Sequence, residues 1–281
     1  MSERMRGAVE MTTAMTMSGT IGWFVIRAGQ PILDVVFWRC VFGVTALLVI
    51  CAARGLLKRD LMTRRQVALV AIGGVAIVLN WLLLFGAYSR ASISIATAVY
   101  NTQPFMLVGL GVLLFKERLT LNNLLWLGLA FAGMLAIVQV KSNGGTISTD
   151  YLTGIVMALG AAFFYAVAAI ITKKLTGVPP YVIVLIQVMV GMLMLAPLAH
   201  FGSLPAGVTA WSCLVILGVV HTGLVFILLY GAIQKLPTQL TGALSFIYPV
   251  VAIFVDLIAF GHRLQVLQVI GAGAILIATT G

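Results

Sequence analysis

Charged residues are scarce in this chain of 281 residues, and acidic residues are the scarcest of them. Asp and Glu number 7, Lys and Arg number 17, and charged residues make up 9% of the sequence. A soluble domain of this size needs many more polar residues to cover its surface. The shortage therefore excludes an ordinary soluble globular protein.

Residues that carry out metal or nucleophilic chemistry are also few. His200, His221 and His262 lack the His-x-x-x-His spacing of a zinc site. The three cysteines are odd in number and far apart, which indicates small buried hydrophobic residues. The sequence has no Walker motif, so ATP-driven transport would need another chain. We therefore expect a protein that is not an enzyme and that needs no cofactor or metal.

Long apolar segments are what the chain has in abundance. Hydrophobic residues make up 62% of the sequence, and the mean hydropathy is +1.14. A helix needs about 20 apolar residues to cross a bilayer, and these segments are continuous, which favours helices over strands. We predict an all-α membrane protein with ten transmembrane helices. Spans 1 to 10 lie at roughly 8–27, 32–53, 66–86, 91–114, 120–140, 151–172, 180–199, 209–230, 237–260 and 264–281.

Positive charge predicts how the spans are oriented, because cytoplasmic loops carry an excess of Lys and Arg. With the N-terminus inside, 12 of the 17 Lys and Arg fall on the cytoplasmic side, 4 fall outside, and Arg39 lies within span 2. Both termini are therefore predicted to be cytoplasmic. The net charge of +10 then reflects topology and not binding to nucleic acid.

The two halves of the sequence resemble each other. Residues 86–134 align with residues 231–279 without a gap and share eight of 49 positions, among them Pro104 with Pro249. This pattern indicates a duplication. Because each repeat has five spans, an odd number, the second repeat enters the membrane inverted, as in many secondary transporters. The predicted division is a first five-helix repeat at 1–140, a connecting loop at 141–150 and a second five-helix repeat at 151–281.

Two loops carry a recognisable motif: Phe115-Lys116-Glu117-Arg118-Leu119 follows span 4, and Phe260-Gly261-His262-Arg263-Leu264 follows span 9. With the ten spans, these loops resemble the EamA-type transporters of the drug/metabolite transporter (DMT) superfamily, and among them the YddG-type aromatic amino-acid exporters. The first loop keeps the glutamate of the family motif, and the second has a histidine there. The resemblance implies that the ten helices surround a central cavity, which is lined by spans 1, 3, 4, 6, 8 and 9. It also implies export of aromatic and other neutral amino acids across the plasma (inner) membrane of a bacterium.

Polar and aromatic residues cluster near two prolines in the middle of spans 4 and 9. Pro104 and Pro249 lack an N–H, which leaves the carbonyls of Tyr100 and Ser245 without helical partners. Paired hinges are one interpretation, and static kinks are the other. Buried amides and an imidazole in a bilayer indicate a hydrated cavity. The candidate substrate-binding residues are Asn80, Trp81, Tyr100, Asn101, Gln103, Phe164, His221, Phe246 and Tyr248.

Three ionisable residues lie in or at the edge of the apolar segments, and each is a candidate for proton coupling or for a structural charge. Arg39 is about two turns into span 2, where an unpaired cation is costly, so backbone carbonyls or water are its expected partners. Glu10 lies at the inner start of span 1, and Asp256 lies in the outer half of span 9. No carboxylate cluster marks a dedicated proton relay.

We predict a secondary transporter that exports or exchanges small neutral metabolites, aromatic and other apolar amino acids above all, by alternating access. Its expected partners are a small-molecule substrate and the lipid bilayer, without nucleic acid, and a monomer is the expected state. The first alternative is a proton-coupled exporter of cationic drugs or polyamines, with Glu10 or Asp256 meeting the cation. A sugar phosphate would want several Lys or Arg in the cavity, and only Arg39 is deep. A non-transporting scaffold or membrane enzyme is the remaining alternative.

Overall fold

The computed structural model describes residues 2–58, 61–91, 96, 99–118, 120–138, 149–201, 204–260 and 266–278. Every regular element in those ranges is helical. A 3₁₀ turn (Ala196–Leu198) follows the helix that ends at Leu195, and a π-helical segment (Leu217–Leu224) joins the helix that ends at Ile216 to the one that begins at Val225. The α-helices are α1 (Glu3–Ser18), α2 (Ile21–Ala28), α3 (Ile32–Ala53), α4 (Arg64–Ala91), α5 (Gln103–Phe115), α6 (Leu121–Val138), α7 (Thr149–Lys174), α8 (Pro180–Leu195), α9 (Val208–Ile216), α10 (Val225–Lys235), α11 (Thr238–Ser245), α12 (Ile247–Phe260) and α13 (Val266–Ala278).

Five helical segments are long and apolar enough to cross a bilayer, with mean hydropathy between 2.3 and 2.5. Only 44–56% of the apolar stretch of each is buried inside the protein. The rest faces outward, and large apolar side chains such as Val208 (83% exposed) and Leu193 (66% exposed) lie on that surface. Such a surface suits lipid and not water, so this is an all-helical, multi-pass membrane protein. The five segments are Ile32–Ala53, Arg64–Tyr88, Thr149–Lys174, Pro180–Leu198 and Val208–Lys235.

Spans 4 and 9 are interrupted helices. In span 4 the chain turns at Thr102, whose N–H donates to Val99 O at 3.1 Å, and α5 begins at the next residue. In span 9 α11 ends at Ser245, and Phe246 N donates to Ala243 O at 3.2 Å before α12 begins. In span 9 the interruption leaves a short helix on either side of the turn. In span 4 the structure describes the turn and α5, the helix that follows it.

Both prolines lie just beyond these interruptions, which differs from the predicted kink in a continuous helix. Pro104 is the second residue of α5, and Pro249 is the third residue of α12. Proline is favoured in the first turn of a helix, because its missing N–H would have no helical partner there. The prolines therefore start new helices, and whether the interruptions act as hinges stays a prediction.

Helices from the first half of the chain pack largely against helices from the second half. α4 packs along α7, α1 along α10, α3 along α8 and α6 along α13. The interrupted spans also meet each other, since α5 packs against α11. The interior between the two halves therefore receives side chains from both.

Candidate functional site

A cavity of about 120 Å³ lies between the two halves, beside both interruptions. Its walls come from spans 1, 3, 4, 6, 8 and 9, the six that the resemblance implied, together with Arg39 of span 2. The polar and aromatic lining residues are Ser18, Arg39, Asn80, Trp81, Phe85, Tyr88, Tyr100, Asn101, Gln103, Tyr165, His221, Phe226, Ser245 and Tyr248. This is an aromatic chamber with several amide and hydroxyl groups and one cation.

Arg39 is fully buried, with 0% of its surface exposed. Its Nε donates to Thr222 Oγ1 at 2.9 Å, and its guanidinium carbon lies 4.1 Å from the centre of the Trp81 ring. Within the described ranges, its Nη1 and Nη2 atoms have no hydrogen-bond partner. Among these residues one hydroxyl and one aromatic face hold the group, and no backbone carbonyl accepts from it. The other expected partner, a cavity water, stays a prediction.

Close packing between α3 and the π-helical segment positions Thr222 beside Arg39. A Cβ on Gly218 would lie 2.9 Å from the Arg39 carbonyl, and a Cβ on Gly43 would lie 3.2 Å from Thr222 Cγ2. Glycine at both positions lets the two backbones approach, as in other membrane helix pairs. Thr222 Oγ1 donates to Leu217 O at 2.8 Å, so its lone pairs are free to accept from Arg39. π-Helical turns occur frequently at functional sites.

His221 precedes Thr222 in the same segment and is 2% exposed. Its Nε2 lies 3.3 Å from Thr20 Oγ1, and that hydroxyl donates to Met17 O at 2.8 Å. The tautomer with its proton on Nε2 satisfies both contacts. His221 Nδ1 is then an acceptor, and it has no hydrogen-bond partner in the described part of the chain.

Another part of the cavity lining combines amide and phenol groups. Asn80 Nδ2 donates to Ala161 O at 2.8 Å and to the Tyr100 hydroxyl at 3.3 Å. The Tyr100 and Tyr165 rings pack edge-on, with centroids 6.3 Å apart. Gln103 is 6% exposed, and its Oε1 has no hydrogen-bond partner among the residues described. This part of the lining therefore offers one buried acceptor beside several aromatic faces.

A second polar region, which we call the ion-paired end, consists of Glu10, Glu117, Lys173 and Lys235. Lys235 Nζ donates to Glu10 at 2.5 Å, and Lys173 Nζ donates to Glu117 at 2.6 Å and to Leu236 O at 3.1 Å. Each pair joins residues from the two halves of the chain. None of the four lines the cavity, so Glu10 is not at the candidate site.

Glu117 also accepts hydrogen bonds from the hydroxyl and the backbone N–H of Thr238, the N–H at 3.2 Å. The carboxylate thus lies at the N-terminus of α11, where the helix dipole favours negative charge. Partial burial opposes ionisation, but the hydrogen bonds from Lys173 and Thr238 outweigh it and hold the pKa of Glu117 below its ordinary value. The predicted loop motif therefore has a structural role in the first half. In the second half, residues 261–265 lie outside the described residues.

The family model of the EamA-like transporters matches this chain twice, over residues 5–139 and 152–281. The chain belongs to the EamA-like transporter family. An uncharacterized transporter of Bacillus subtilis (strain 168), YxxF, is 29% identical over 96% of this chain and 86% of its own length. The threonine/homoserine exporter RhtA of Escherichia coli (strain K12) is 28% identical over 75% of this chain and 68% of its own length.

A crystal structure of another protein superposes on this EamA-family chain with a TM-score of 0.85. The superposition covers 98% of this chain and 94% of the other at 20% identity, so the two proteins share a fold. The predicted membership of the EamA family, and of the DMT superfamily with it, is confirmed. The family and the relatives above are transporters and not enzymes. The narrower resemblance to aromatic amino-acid exporters stays a prediction.

The cavity of this EamA-family protein brings most of the predicted binding residues together. Phe164 and Phe246 do not line it: Phe164 is half-buried against Phe163, with ring centroids 5.8 Å apart, and Phe246 is fully buried in a separate apolar cluster. The side chain of Asp256 lies outside what the structure describes. The predicted binding residues that line the cavity are Asn80, Trp81, Tyr100, Asn101, Gln103, His221 and Tyr248.

Several lining residues were not predicted as binding residues. Tyr165 lines the cavity where its neighbour Phe164 does not, and Arg39 was predicted as a coupling or structural charge. The helical period could have identified Tyr88, which lies two turns after Trp81 on α4. Ser18 and Phe226 carried no signal in the sequence that distinguishes them from ordinary packing residues.

Proposed function

We propose that this protein is a secondary transporter that exports or exchanges small neutral amino acids by alternating access, through the cavity between its two halves. The observation that carries this proposal is the cavity itself. It joins aromatic walls to buried amide, imidazole and guanidinium groups at the point where two spans are interrupted. Transporter sites lie typically near the membrane midplane at discontinuous helices.

The proposed architecture is ten helices in two inverted five-helix repeats, at 1–140 and 151–281. Two matches to one family model in a single chain support it. The packing pattern supports it further, because exchange of the halves converts the contact of span 1 with span 8 into that of span 6 with span 3. The contact of span 2 with span 8 likewise becomes that of span 7 with span 3. A pseudo-two-fold axis would have this effect.

The ion-paired end supports alternating access. Lys173–Glu117 and Lys235–Glu10 each connect the halves, so they can hold one end closed while the other opens. Charge asymmetry assigns this end to the cytoplasm, with both termini there, and bacterial relatives suggest the plasma membrane. The structure would then represent a state closed to the cytoplasm.

The size of the cavity favours short side chains. Its volume of about 120 Å³ is below the roughly 150 Å³ of a cavity that holds a benzene ring. Threonine and similar amino acids therefore fit this state better than tryptophan with its indole ring. The relative RhtA is named as an exporter of threonine and homoserine, which are amino acids of this size. A cationic drug or polyamine is disfavoured, because the described lining contains Arg39 and no Asp or Glu.

Counterflow into proteoliposomes tests this function. Radiolabelled threonine, phenylalanine, tryptophan and putrescine are compared, and we expect saturable flux to be largest for threonine and smallest for putrescine. Trp81→Ala and His221→Ala are expected to raise the apparent substrate constant several-fold. Phe164→Ala is the matched control, since Phe164 lies next to a lining residue but outside the lining.

Three outcomes would contradict the proposal. Flux that does not saturate would indicate a channel, and putrescine flux above that of every amino acid would favour the cation exporter. An equal effect of Phe164→Ala and Trp81→Ala would place the site elsewhere in the protein.

A further inference from the structure

The geometry points to Arg39 as the group that binds the carboxylate of the transported molecule, so that a free carboxylate is required for recognition. This inference rests on the proposed function and deepens it. It assigns a ligand to a side chain that the sequence suggests is a structural or coupling charge. The chemical class of substrate becomes a zwitterion or a monocarboxylate, and esters, amides and amines of the same shape are excluded.

Two contacts fix the guanidinium of Arg39, one at its Nε edge and one at its face. Thr222 accepts from Nε at 2.9 Å, and the guanidinium carbon lies 4.1 Å from the centre of the Trp81 ring. These two contacts set the plane and the direction of the guanidinium. A group fixed in this way loses little freedom when it binds a ligand.

The opposite edge of the guanidinium carries hydrogen-bond donors that have no partner among the described residues. Nη1 and Nη2 are buried without a hydrogen-bond partner in the described ranges, and Arg39 lines the cavity. Two parallel N–H groups match the two oxygens of a carboxylate. Buried charges in proteins are paired, and the lining that the structure describes holds no Asp or Glu to pair with this one. The counter-charge that fits is therefore on the ligand.

The remaining unpartnered groups suit the other end of an amino acid. Gln103 Oε1 and His221 Nδ1 are buried acceptors without partners among the described residues, and both residues line the cavity. Acceptors and aromatic faces are the groups that receive an ammonium ion. The unpartnered donors of Arg39, together with the unpartnered acceptors of Gln103 and His221, are complementary to a zwitterion. A dianionic phosphate would meet a single cation in the described lining, so the assignment is to a carboxylate.

Ligand-induced thermal stabilisation of the purified full-length protein tests the assignment. The probes are threonine, threonine amide and threonine methyl ester, with isobutyrate and inorganic phosphate as simple anions and isobutyramide as a neutral control. We expect the parent to bind threonine at least tenfold more tightly than its amide, and isobutyrate more tightly than isobutyramide or phosphate. Arg39→Gln is expected to weaken threonine and isobutyrate at least tenfold and to leave the two amides within about twofold.

Matched variants separate recognition from structure. The measured quantity is the acid-to-amide ratio, which is the affinity for threonine divided by the affinity for threonine amide. Thr222→Val removes the partner of Arg39 Nε, and we expect it to lower this ratio less than Arg39→Gln does. Arg39→Lys keeps the charge without the planar fork, so it should retain part of that ratio. Size-exclusion profiles and the melting temperature without ligand establish that each variant is folded.

The outcomes distinguish this inference from the proposed function. If Arg39→Gln keeps the parental acid-to-amide ratio, or if phosphate binds better than isobutyrate, the assignment to carboxylate is overturned and amino-acid transport still stands. If no amino acid binds but isobutyrate stabilises the parent and not Arg39→Gln, the carboxylate site stands and the proposed substrate is wrong. If neither amino acids nor isobutyrate stabilise the parent, both are overturned.

Discussion

Arg39 in the cavity and Lys173 at the ion-paired end are both cations withdrawn from water, and their surroundings are opposite. Lys173 contacts the Glu117 carboxylate at 2.6 Å and a backbone carbonyl at 3.1 Å. Arg39 contacts one hydroxyl and one aromatic ring, and its two terminal nitrogens have no partner in the described part of the chain. Lys173 therefore has an anionic partner within the protein, and Arg39 has none among the described residues.

This difference separates two reasons for keeping a charge inside a membrane protein. An ion pair that bridges two halves stabilises one arrangement of those halves, and breaking it exposes an uncompensated charge. An unpaired cation contributes nothing comparable to folding, because its desolvation is not offset by a partner. Natural proteins accept such local costs at binding sites. Lys173 is thus expected to matter for stability, and Arg39 for binding.

The sharpest test of this comparison replaces each cation with methionine, which keeps the apolar volume. Without substrate, Lys173→Met should lower the apparent melting temperature, because Glu117 loses its charged hydrogen-bond partner. The expected loss in the free energy of unfolding is about 1–3 kcal/mol. Arg39→Met should melt at or above the parental temperature, because it removes a buried unpaired charge. Threonine counterflow by Arg39→Met should fall more than tenfold. Thermal unfolding in detergent and counterflow in proteoliposomes provide the two measurements.

A double variant supplies the control for this test. Lys173→Met combined with Glu117→Gln should recover part of the lost stability, because no charge is then left without a partner. If Arg39→Met melts well below the parent while Lys173→Met does not, the roles are reversed and Arg39 is a structural group.

The two interruptions extend the comparison to the two halves. Pro104→Ala and Pro249→Ala should each slow transport about three- to tenfold, with substrate binding retained. Alanine restores an N–H, so the helix can extend across the interruption and stiffen it. Counterflow rates and thermal-shift binding would be measured in parallel. Pro180→Ala is the matched control, since Pro180 lies in the first turn of α8, where no interruption precedes it.

Equal effects at the two sites would sharpen the inverted-repeat proposal, because pseudo-symmetric hinges should contribute similarly. Parental transport rates in both variants, with normal expression, would show that the interruptions do not act as hinges during transport. The hinge hypothesis would then be abandoned for both prolines.

The sequence predicted the presence and the bounds of a helix well where the span is a single continuous helix. Span 2 was predicted at 32–53, and α3 has the same bounds. Spans 4 and 9 were predicted as single helices, and the sequence identified their prolines without showing that a new helix begins there. The difference arises because hydropathy measures only how apolar a segment is. Whether the backbone turns in the middle depends on contacts with helices distant in sequence.

The site was predictable to the level of a segment but not of a side chain. Phe164 and Tyr165 are adjacent and both aromatic, and helix rotation decides that only Tyr165 faces the cavity. Arg39 shows the same limit, since sequence locates its depth but not its partner Thr222, 183 positions away. Glu117 was visible as a motif, but its cation Lys173 lies 56 positions further along the chain. Long-range packing, which hydropathy does not encode, supplies each of these pairs.

The smallest expected effect concerns the pH dependence of the ion-paired end. The pKa of Glu117 lies below its ordinary value of 4.5, because hydrogen bonds from Lys173 and Thr238 outweigh partial burial. A lowered pKa means that the stabilisation is complete above the ordinary value and is lost as pH falls below it. The melting temperatures of the parent and of Glu117→Gln should therefore differ by a few degrees above about pH 5 and converge as the pH falls progressively below the ordinary value of 4.5. Glu3→Gln is the control, because Glu3 is exposed and has no ion pair within the described ranges. A parent-to-Glu117→Gln difference that persists unchanged at acid pH would show that packing, and not the charge of Glu117, stabilises this end.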